Sequence, residues 1–253
     1  MKLLNQYCRP ILGSLLIFSI SFAQAHPKIQ SWRSEKPIQA AVVEVRDLKN
    51  LGLYLYDKKH SPYLSFTQLN AALRKKCRSM QFAMNAGMFQ ADYSPVGLYI
   101  ENGIQQRPLN TAKRGFGNFL IQPNGVLAWN SSQAVIQTTD HYRLSSFKAK
   151  YATQSGPMLV IDGKINDKFL PDASSYKIRN GAGIQNHKLY FVISLEPVTF
   201  YQFAAYFKDT LKTGNALYLD GSISSMYAAD LNMNDAARDL GPMVAYSEPL
   251  TCK

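Results

Sequence analysis

Ala216-Leu217-Tyr218-Leu219-Asp220-Gly221-Ser222-Ile223-Ser224-Ser225-Met226-Tyr227 is the stretch around which this chain is organised. Ala216 to Leu219 is a short apolar run bounded by turn formers, which predicts a buried strand. The strand delivers a carboxylate, Asp220, into a turn that opens with Gly221 and carries the hydroxyls of Ser222, Ser224 and Ser225. A charge mounted where a rigid strand meets a Gly/Ser turn is well placed for chemistry. The plain alternative is an Asp-Gly turn that only ends the strand.

Two other segments share this character. Phe82-Ala83-Met84-Asn85 is an apolar run ending on an amide, followed by Ala86-Gly87. Arg179-Asn180-Gly181-Ala182-Gly183 sets an arginine inside a glycine-rich strand. A guanidinium offers a planar fork that matches phosphate or carboxylate. Glycines beside it let backbone N–H groups approach the same anion.

Working outward, Ala41–Val45 and Leu51–Tyr56 read as strands, and a helix capped by Thr67 carries Leu69, Ala72, Leu73 and Cys77 at helical spacing to about Ser79. Asn-Gly pairs predict hairpins at Gly97–Ile100/Ile104–Arg107 and at Phe119–Gln122/Val126–Trp129. Val135–Thr139, Tyr151–Gln154, Met158–Ile161, Ile178–Gln185 and Lys188–Ser194 add strands, with a bend at Ser155-Gly156-Pro157. Thr199 caps a second helix whose stripe, Phe200, Phe203, Ala204, Phe207 and Leu211, is core packing. Met243–Tyr246 is the last strand. Many strands with two helices predict an α+β fold, a single strand-rich domain with a mixed or antiparallel sheet and a few flanking helices.

Residues 1–25 read as a signal peptide. Lys2 and Arg9 precede the apolar run Ile11–Phe22, and Ala23-Gln24-Ala25 forms a small-x-small cleavage site. Residues 26–39 read as a loosely ordered start and 40–253 as the folded domain. The expected location is outside the cytoplasm, in the periplasm if the source is Gram-negative and otherwise secreted. No later stretch is long and apolar enough for a membrane helix. The net charge of +11 falls to +9 without Lys2 and Arg9, which favours anionic partners. The basic residues are scattered, and nothing reads as a nucleic-acid module. Cys77 and Cys252 are an even pair that an oxidising compartment would join if they meet at bonding distance. The oligomeric state is not encoded in any motif.

There is no P-loop, no Gly-x-Gly-x-x-Gly, no His-Glu-x-x-His and no Gly-x-Ser-x-Gly. The histidines have no ligand spacing, so no metal and no cofactor is expected. Two Ser-x-x-Lys matches and Lys212-Thr213-Gly214 lack the middle box of penicillin-binding enzymes and are read as chance.

Four segments together carry a resemblance: Phe82–Phe89, Ala152–Val160, Ile178–Gly183 and Leu217–Ser225. In this order they are similar to the phosphodiester glycosidase family, over about residues 40 to 250. The resemblance implies hydrolysis of a sugar-1-phosphodiester in an exported glycan or glycoconjugate. It matches Asn85, Arg179 and Asp220 to the family's polar positions. Gly87, Gly156, Gly181, Gly183 and Gly221 fall on its glycine-containing motifs, and Ser224 and Ser225 on its hydroxyls. Ala86 and Ser222 stand where the family often has a second glycine.

On this reading Asp220 is nucleophile or general base, and Arg179 clamps the phosphodiester and stabilises its developing charge. Asn85, Gly87, Gly156, Gly181, Gly183, Gly221, Ser222, Ser224 and Ser225 bind substrate. Glycosidases ordinarily use two carboxylates, and Glu196, at the end of a strand, is the candidate for the second. Asp162 is better read as a hairpin turn. The reading from another class is a non-catalytic periplasmic module that binds an anionic or phosphate-bearing glycan.

Overall fold

Every strand pairing is antiparallel among the residues that the computed structural model describes, 28–115, 117–235 and 238–252. The leader read at 1–25 lies outside these residues. The strands form one seven-stranded and two five-stranded sheets, an α+β fold rich in strands. No described helix is long and apolar enough to cross a membrane.

The seven-stranded sheet runs in the order Ile29–Ser34, Ala40–Val45, Lys188–Ser194, Asn180–Gln185, Asn215–Tyr218, Met158–Ile161, Lys164–Ile165. Ala40–Val45 and Lys188–Ser194 are apolar at nearly every position because both faces are covered, whereas Asn180–Gln185 between them and Asn215–Tyr218 is rich in glycine. Val43, Phe191 and Leu217 enter the central core. Their neighbours Val42, Val192 and Ala216 pack under the helix Phe200–Ala205 and the wider helical turn Tyr206–Thr210. Side chains alternate across a strand, so one run of sequence feeds two cores. Thr199 closes the helix start with a full capping box to Gln202.

The second sheet, Met233–Asn234, Met226–Ala228, Arg78–Asn85, Met243–Pro249 and Leu51–Tyr54, carries the helix Phe66–Arg74 on Met80, Ala83 and Ala245. The third is Ile104–Arg107, Tyr99–Glu101, Tyr151–Ser155, Gly125–Trp129 and Ala134–Thr138. Trp129 seals it to the central core, its indole N–H donating to the Leu51 carbonyl at 3.1 Å. The chain leaves this sheet after Ser155 and enters the seven-stranded one at Met158, so the predicted bend at Ser155-Gly156-Pro157 is a crossing between sheets. Cys77 and Cys252 are joined in a disulfide with Cα atoms 5.6 Å apart, tying the end of the last strand to the turn after the first helix.

Three local expectations differ. The polar start contains the strand Ile29–Ser34, held by full pairing to Ala40–Val45 and by Trp32 set edge-on to Tyr190. The first helix is capped by Ser65, whose hydroxyl accepts from the Gln68 N–H, and ends at Arg74 because the next strand claims Arg78. The Asn124-Gly125 hairpin does not form. Residues Asn118–Leu120 make a short 3-10 turn, and the buried Asn124 amide donates to the Phe119 carbonyl at 3.2 Å. That side-chain bond to the backbone closes the loop without a partner strand.

Candidate active site

The strand Asn215–Tyr218 lies between Asn180–Gln185 and Met158–Ile161, with Gly181 opposite Tyr218. The pairing is continued past the strand by Leu219, whose N–H donates to the Asn180 carbonyl at 3.0 Å. Asp220 and Arg179 therefore leave adjacent strands at the same edge. Asn85 comes from the second sheet, and its amide donates to the Asp220 carbonyl at 2.7 Å.

Asn85 is buried, and both its amide nitrogen and its side-chain oxygen are hydrogen-bonded. Its side-chain oxygen accepts from the Ser225 N–H at 2.9 Å and from the Asn180 amide at 3.0 Å. The Ser224 hydroxyl in turn lies 3.1 Å from the Asn180 side-chain oxygen. These amides and hydroxyls join three distant segments by bonds that each donor and acceptor needs once buried. Asn85 and Asn180 thus hold the segments that carry Asp220, Ser224 and Ser225 against one another.

Asp220 is 9% exposed. Its Oδ1 accepts from the Ser222 N–H at 3.2 Å and the Ser222 hydroxyl at 2.6 Å. Oδ2 has no hydrogen-bond partner among the described residues. One oxygen is thereby fixed and the other is left for a substrate or a water.

Arg179 is 1% exposed. Its Nε donates to the Val198 carbonyl at 2.9 Å and one terminal nitrogen to the Ser175 carbonyl at 2.8 Å. The guanidinium carbon sits 3.7 Å from the Phe200 ring centre and 5.7 Å from that of Tyr218, close enough for cation–π attraction. Burial pulls this guanidinium below its ordinary range, an effect that the neighbouring Tyr218 phenol opposes. Burial likewise raises the Tyr218 phenol, with Arg179 pulling the other way. No carboxylate forms an ion pair with Arg179 among the described residues.

Arg179 lines an open cavity of about 540 Å³ with Lys177, Arg238, Tyr218, Ser222 and Ser224 among its other walls. A second cavity of about 590 Å³ shares Asn118 and Ser222 with it and is the one that Asp220 lines. Gly221 is required at the junction, because a Cβ there would overlap the Tyr218 hydroxyl.

A model of the phosphodiester glycosidase family matches residues 78–246, more than half of the chain. The chain is a member of the phosphodiester glycosidase family. An uncharacterised protein of Escherichia coli (strain K12), YigE, is 45% identical over 149 residues, and the match spans 58% of this chain and 58% of that protein's length. Among solved structures, the catalytic domain of zebrafish N-acetylglucosamine-1-phosphodiester alpha-N-acetylglucosaminidase, auto-inhibited by its pro-peptide, superposes with a TM-score of 0.61 at 13% identity. That alignment covers 89% of this chain and 85% of the other. A hypothetical protein from Synechocystis superposes at 0.54 with 14% identity, covering 89% of this chain and 64% of its own. At such identities the likeness to these structures is one of fold.

In this family member Arg179, Gly221, Ser222, Ser224 and Ser225 share one cavity wall, and Asp220 stands at the next. Gly156, Gly181, Gly183 and Gly87 line neither cavity. They permit close packing instead: a Cβ on Gly181 would lie 2.8 Å from the Leu217 carbonyl, and one on Gly156 2.7 Å from Asn124. Glu196 accepts from the Gln39 N–H at 2.9 Å and lines neither cavity, so the fold does not bring it to Asp220. Lys177, Arg238, Asp235 and Tyr218 stand on the cavity wall although the sequence did not single them out. For Tyr218 and Lys177 a signal existed, since each lies two residues from a predicted site residue. For Arg238 and Asp235 none did.

Proposed function

We propose that this protein is an exported hydrolase that cleaves a sugar-1-phosphodiester, holding the phosphodiester in the cationic cavity beside Asp220. The observation that carries this reading is Arg179, a buried guanidinium with two donors tied to backbone carbonyls and no ion pair to an acid among the described residues. A buried cation normally acquires a counter-charge, and here the group lines a cavity whose wall carries two further cations, Lys177 and Arg238, against one acid, Asp235. A phosphodiester supplies the missing anion. Membership of the family and the polar constellation around Asp220 support the same reaction class.

The unengaged oxygen of Asp220 acts on the anomeric carbon directly or takes a proton from the water that does. Either way the bond from that carbon to the phosphate oxygen breaks, and its electron pair leaves on the phosphate. Arg179 and the adjoining cations stabilise that charge as it grows. Phosphate leaves readily, so the second carboxylate of an ordinary glycosidase has less to do. Export is supported by the leader-like start and by the Cys77–Cys252 disulfide, which belongs to an oxidising compartment.

The test is release of free sugar from a panel of methyl glycosyl-1-phosphodiesters. Wild type is expected to turn over at least one, and Asp220→Asn to lose at least about a hundredfold in kcat while keeping its melting temperature. Near-normal turnover by Asp220→Asn refutes the assignment. Phosphate-ester binding without turnover by wild type would make the protein a binding module.

A further inference from the structure

We infer that the far end of the second sheet carries a binding site for a small tetrahedral oxyanion such as phosphate, separate from the cavity of Arg179. The site is a cavity of about 170 Å³ whose wall includes Lys49, Asn50, Gly52, Tyr54, Arg78 and Tyr151. That wall holds two cations and no carboxylate, and it shares no residue with the wall that Arg179 lines. Arg78 opens the strand that Asn85 closes. At roughly 3.3 Å per residue the two ends stand roughly 23 Å apart. The volume lies below the roughly 300–1,000 Å³ of clefts for larger ligands, so the site takes an ion or one terminal group and not a whole sugar. It is independent of the reaction proposed above.

Arg78 is clamped without being neutralised. Its Nε donates to the Ser247 hydroxyl at 2.8 Å, and one terminal nitrogen donates to the Asn50 side-chain oxygen at 2.7 Å and to the Ser247 carbonyl. The other terminal nitrogen has no partner among the described residues. All three acceptors are neutral, and neither Arg78 nor Lys49 forms an ion pair among the described residues. The acids close by are committed elsewhere. Asp47 accepts from the Lys49 N–H and from the Asn50 amide, each at 3.0 Å, which turns the Asn50 oxygen to Arg78. Glu101 accepts from the Tyr99 hydroxyl at 2.8 Å. Glu248 follows Ser247 along the last strand, so its side chain takes the opposite face.

Tyr54 adds a neutral donor. A Cβ on Gly52 would lie 2.6 Å from the Tyr54 hydroxyl, so the phenol folds back over Gly52 along its own strand. Burial raises this phenol, an effect that Arg78 and Ser247 oppose, and it is protonated at neutral pH. The Tyr151 hydroxyl donates to the Asn102 side-chain oxygen at 2.7 Å and leaves its ring as a wall. Arg78 follows Cys77 directly, and Ser247 lies on the strand that leads to Cys252, so the disulfide holds both halves of the clamp together. Groups fixed in advance lose little freedom when a ligand arrives. A guanidinium, an ammonium and a phenol around one small cavity match the oxygens of a tetrahedral anion.

A titration of the wild-type protein with inorganic phosphate, followed by amide NMR, reads the two cavities separately. Gly52 reports on this one and Gly221 on that of Arg179. The Gly52 amide is expected to shift saturably with phosphate, and chloride at matched ionic strength is expected not to reproduce the shift. The Lys49 side chain is exposed and forms no ion pair among the described residues. Lys49→Ala should therefore weaken the Gly52 response at least about tenfold without lowering the melting temperature. Arg78→Gln should weaken it further, and Arg179→Met should remove the Gly221 response while leaving that of Gly52. A Gly52 amide that is silent, that answers equally to chloride or that is untouched by Lys49→Ala overturns the site. A silent Gly221 beside a responding Gly52 removes the phosphate seat proposed above and leaves this one standing. Short-chain polyphosphate names the source of the anion: saturation of Gly52 at least about tenfold below phosphate marks one group of a polymer, and equal saturation marks the free ion.

Discussion

Glu44 and Arg179 are both buried charges in the seven-stranded sheet or its edge, at 5% and 1% exposure, yet the fold treats them differently. Glu44 is neutralised on the spot, paired with Arg46 and, at 3.5 Å, with Lys188 on the neighbouring strand. Arg179 has carbonyls and aromatic rings against it and forms no ion pair among the described residues. A charge that the protein has already paired is structural. A buried charge that lines a cavity without an ion pair is a candidate for a ligand, and that is the role proposed for Arg179. The contrast separates the two roles more sharply than burial does.

The largest effect that would break this comparison is in catalysis. Arg179→Met keeps much of the volume and removes the cation, so kcat/KM on a glycosyl phosphodiester should fall about 10²–10³-fold. Phosphate should raise the melting temperature of wild type more than that of this variant, as expected of a ligand that binds only the native state. If phosphate protects both equally, Arg179 is not its seat. The converse substitution is Glu44→Gln. It leaves Arg46 and Lys188 without their acid, and these are partly exposed, so the loss should be about 1–3 kcal/mol of stability in a denaturant melt. Turnover should stay close to wild type. A loss of activity without a loss of stability would reverse the assignment of roles.

A smaller effect concerns alkaline pH. Burial pushes Tyr151, Tyr190 and Tyr246 each up to about 12. In the unfolded chain these phenols titrate near 10, so the unfolded state gives up protons first as pH rises. Their contribution is complete below about pH 10 and should be lost between about pH 10 and 12, seen as a falling melting temperature. Tyr190 also feels Glu44, after burial. Its phenolate absorbance in Glu44→Gln should therefore appear at lower pH than in wild type, and an unchanged titration would remove Glu44 from its surroundings.

Much of this was legible in the chain. The apolar run ending at Asp220 and the strand Lys188–Ser194 formed as read, because both faces of their sheet are covered and continuous apolar character is then required. Arg179 among glycines was legible for a similar reason: few side chains stood near enough in sequence to explain it. Other signals failed where a non-local contact outweighed a local one. Asn124-Gly125 is a hairpin signal, yet Asn124 is consumed by the Phe119 carbonyl, and Gly125–Trp129 pairs with two later strands. Glu196 ends a strand as Asp220 does, but it closes on the Gln39 N–H. The two ends look alike in sequence and differ only in what the sheet order places beside them.

By itself the sequence determined the strand-rich class, the helix under Thr199, the polar tips at Asn85, Arg179 and Asp220, and the cysteines available for pairing. These follow from periodicity and turn chemistry, which act over a few residues. Tertiary structure alone decided that Arg179 and Asp220 line neighbouring cavities, that Asn180 bonds to Asn85, that Arg179 forms no ion pair among the described residues, and that Lys177 and Arg238 stand on its cavity wall. Those facts depend on residues brought together across the antiparallel order of the sheets, and no pattern of neighbours along a chain encodes a contact made between its distant parts.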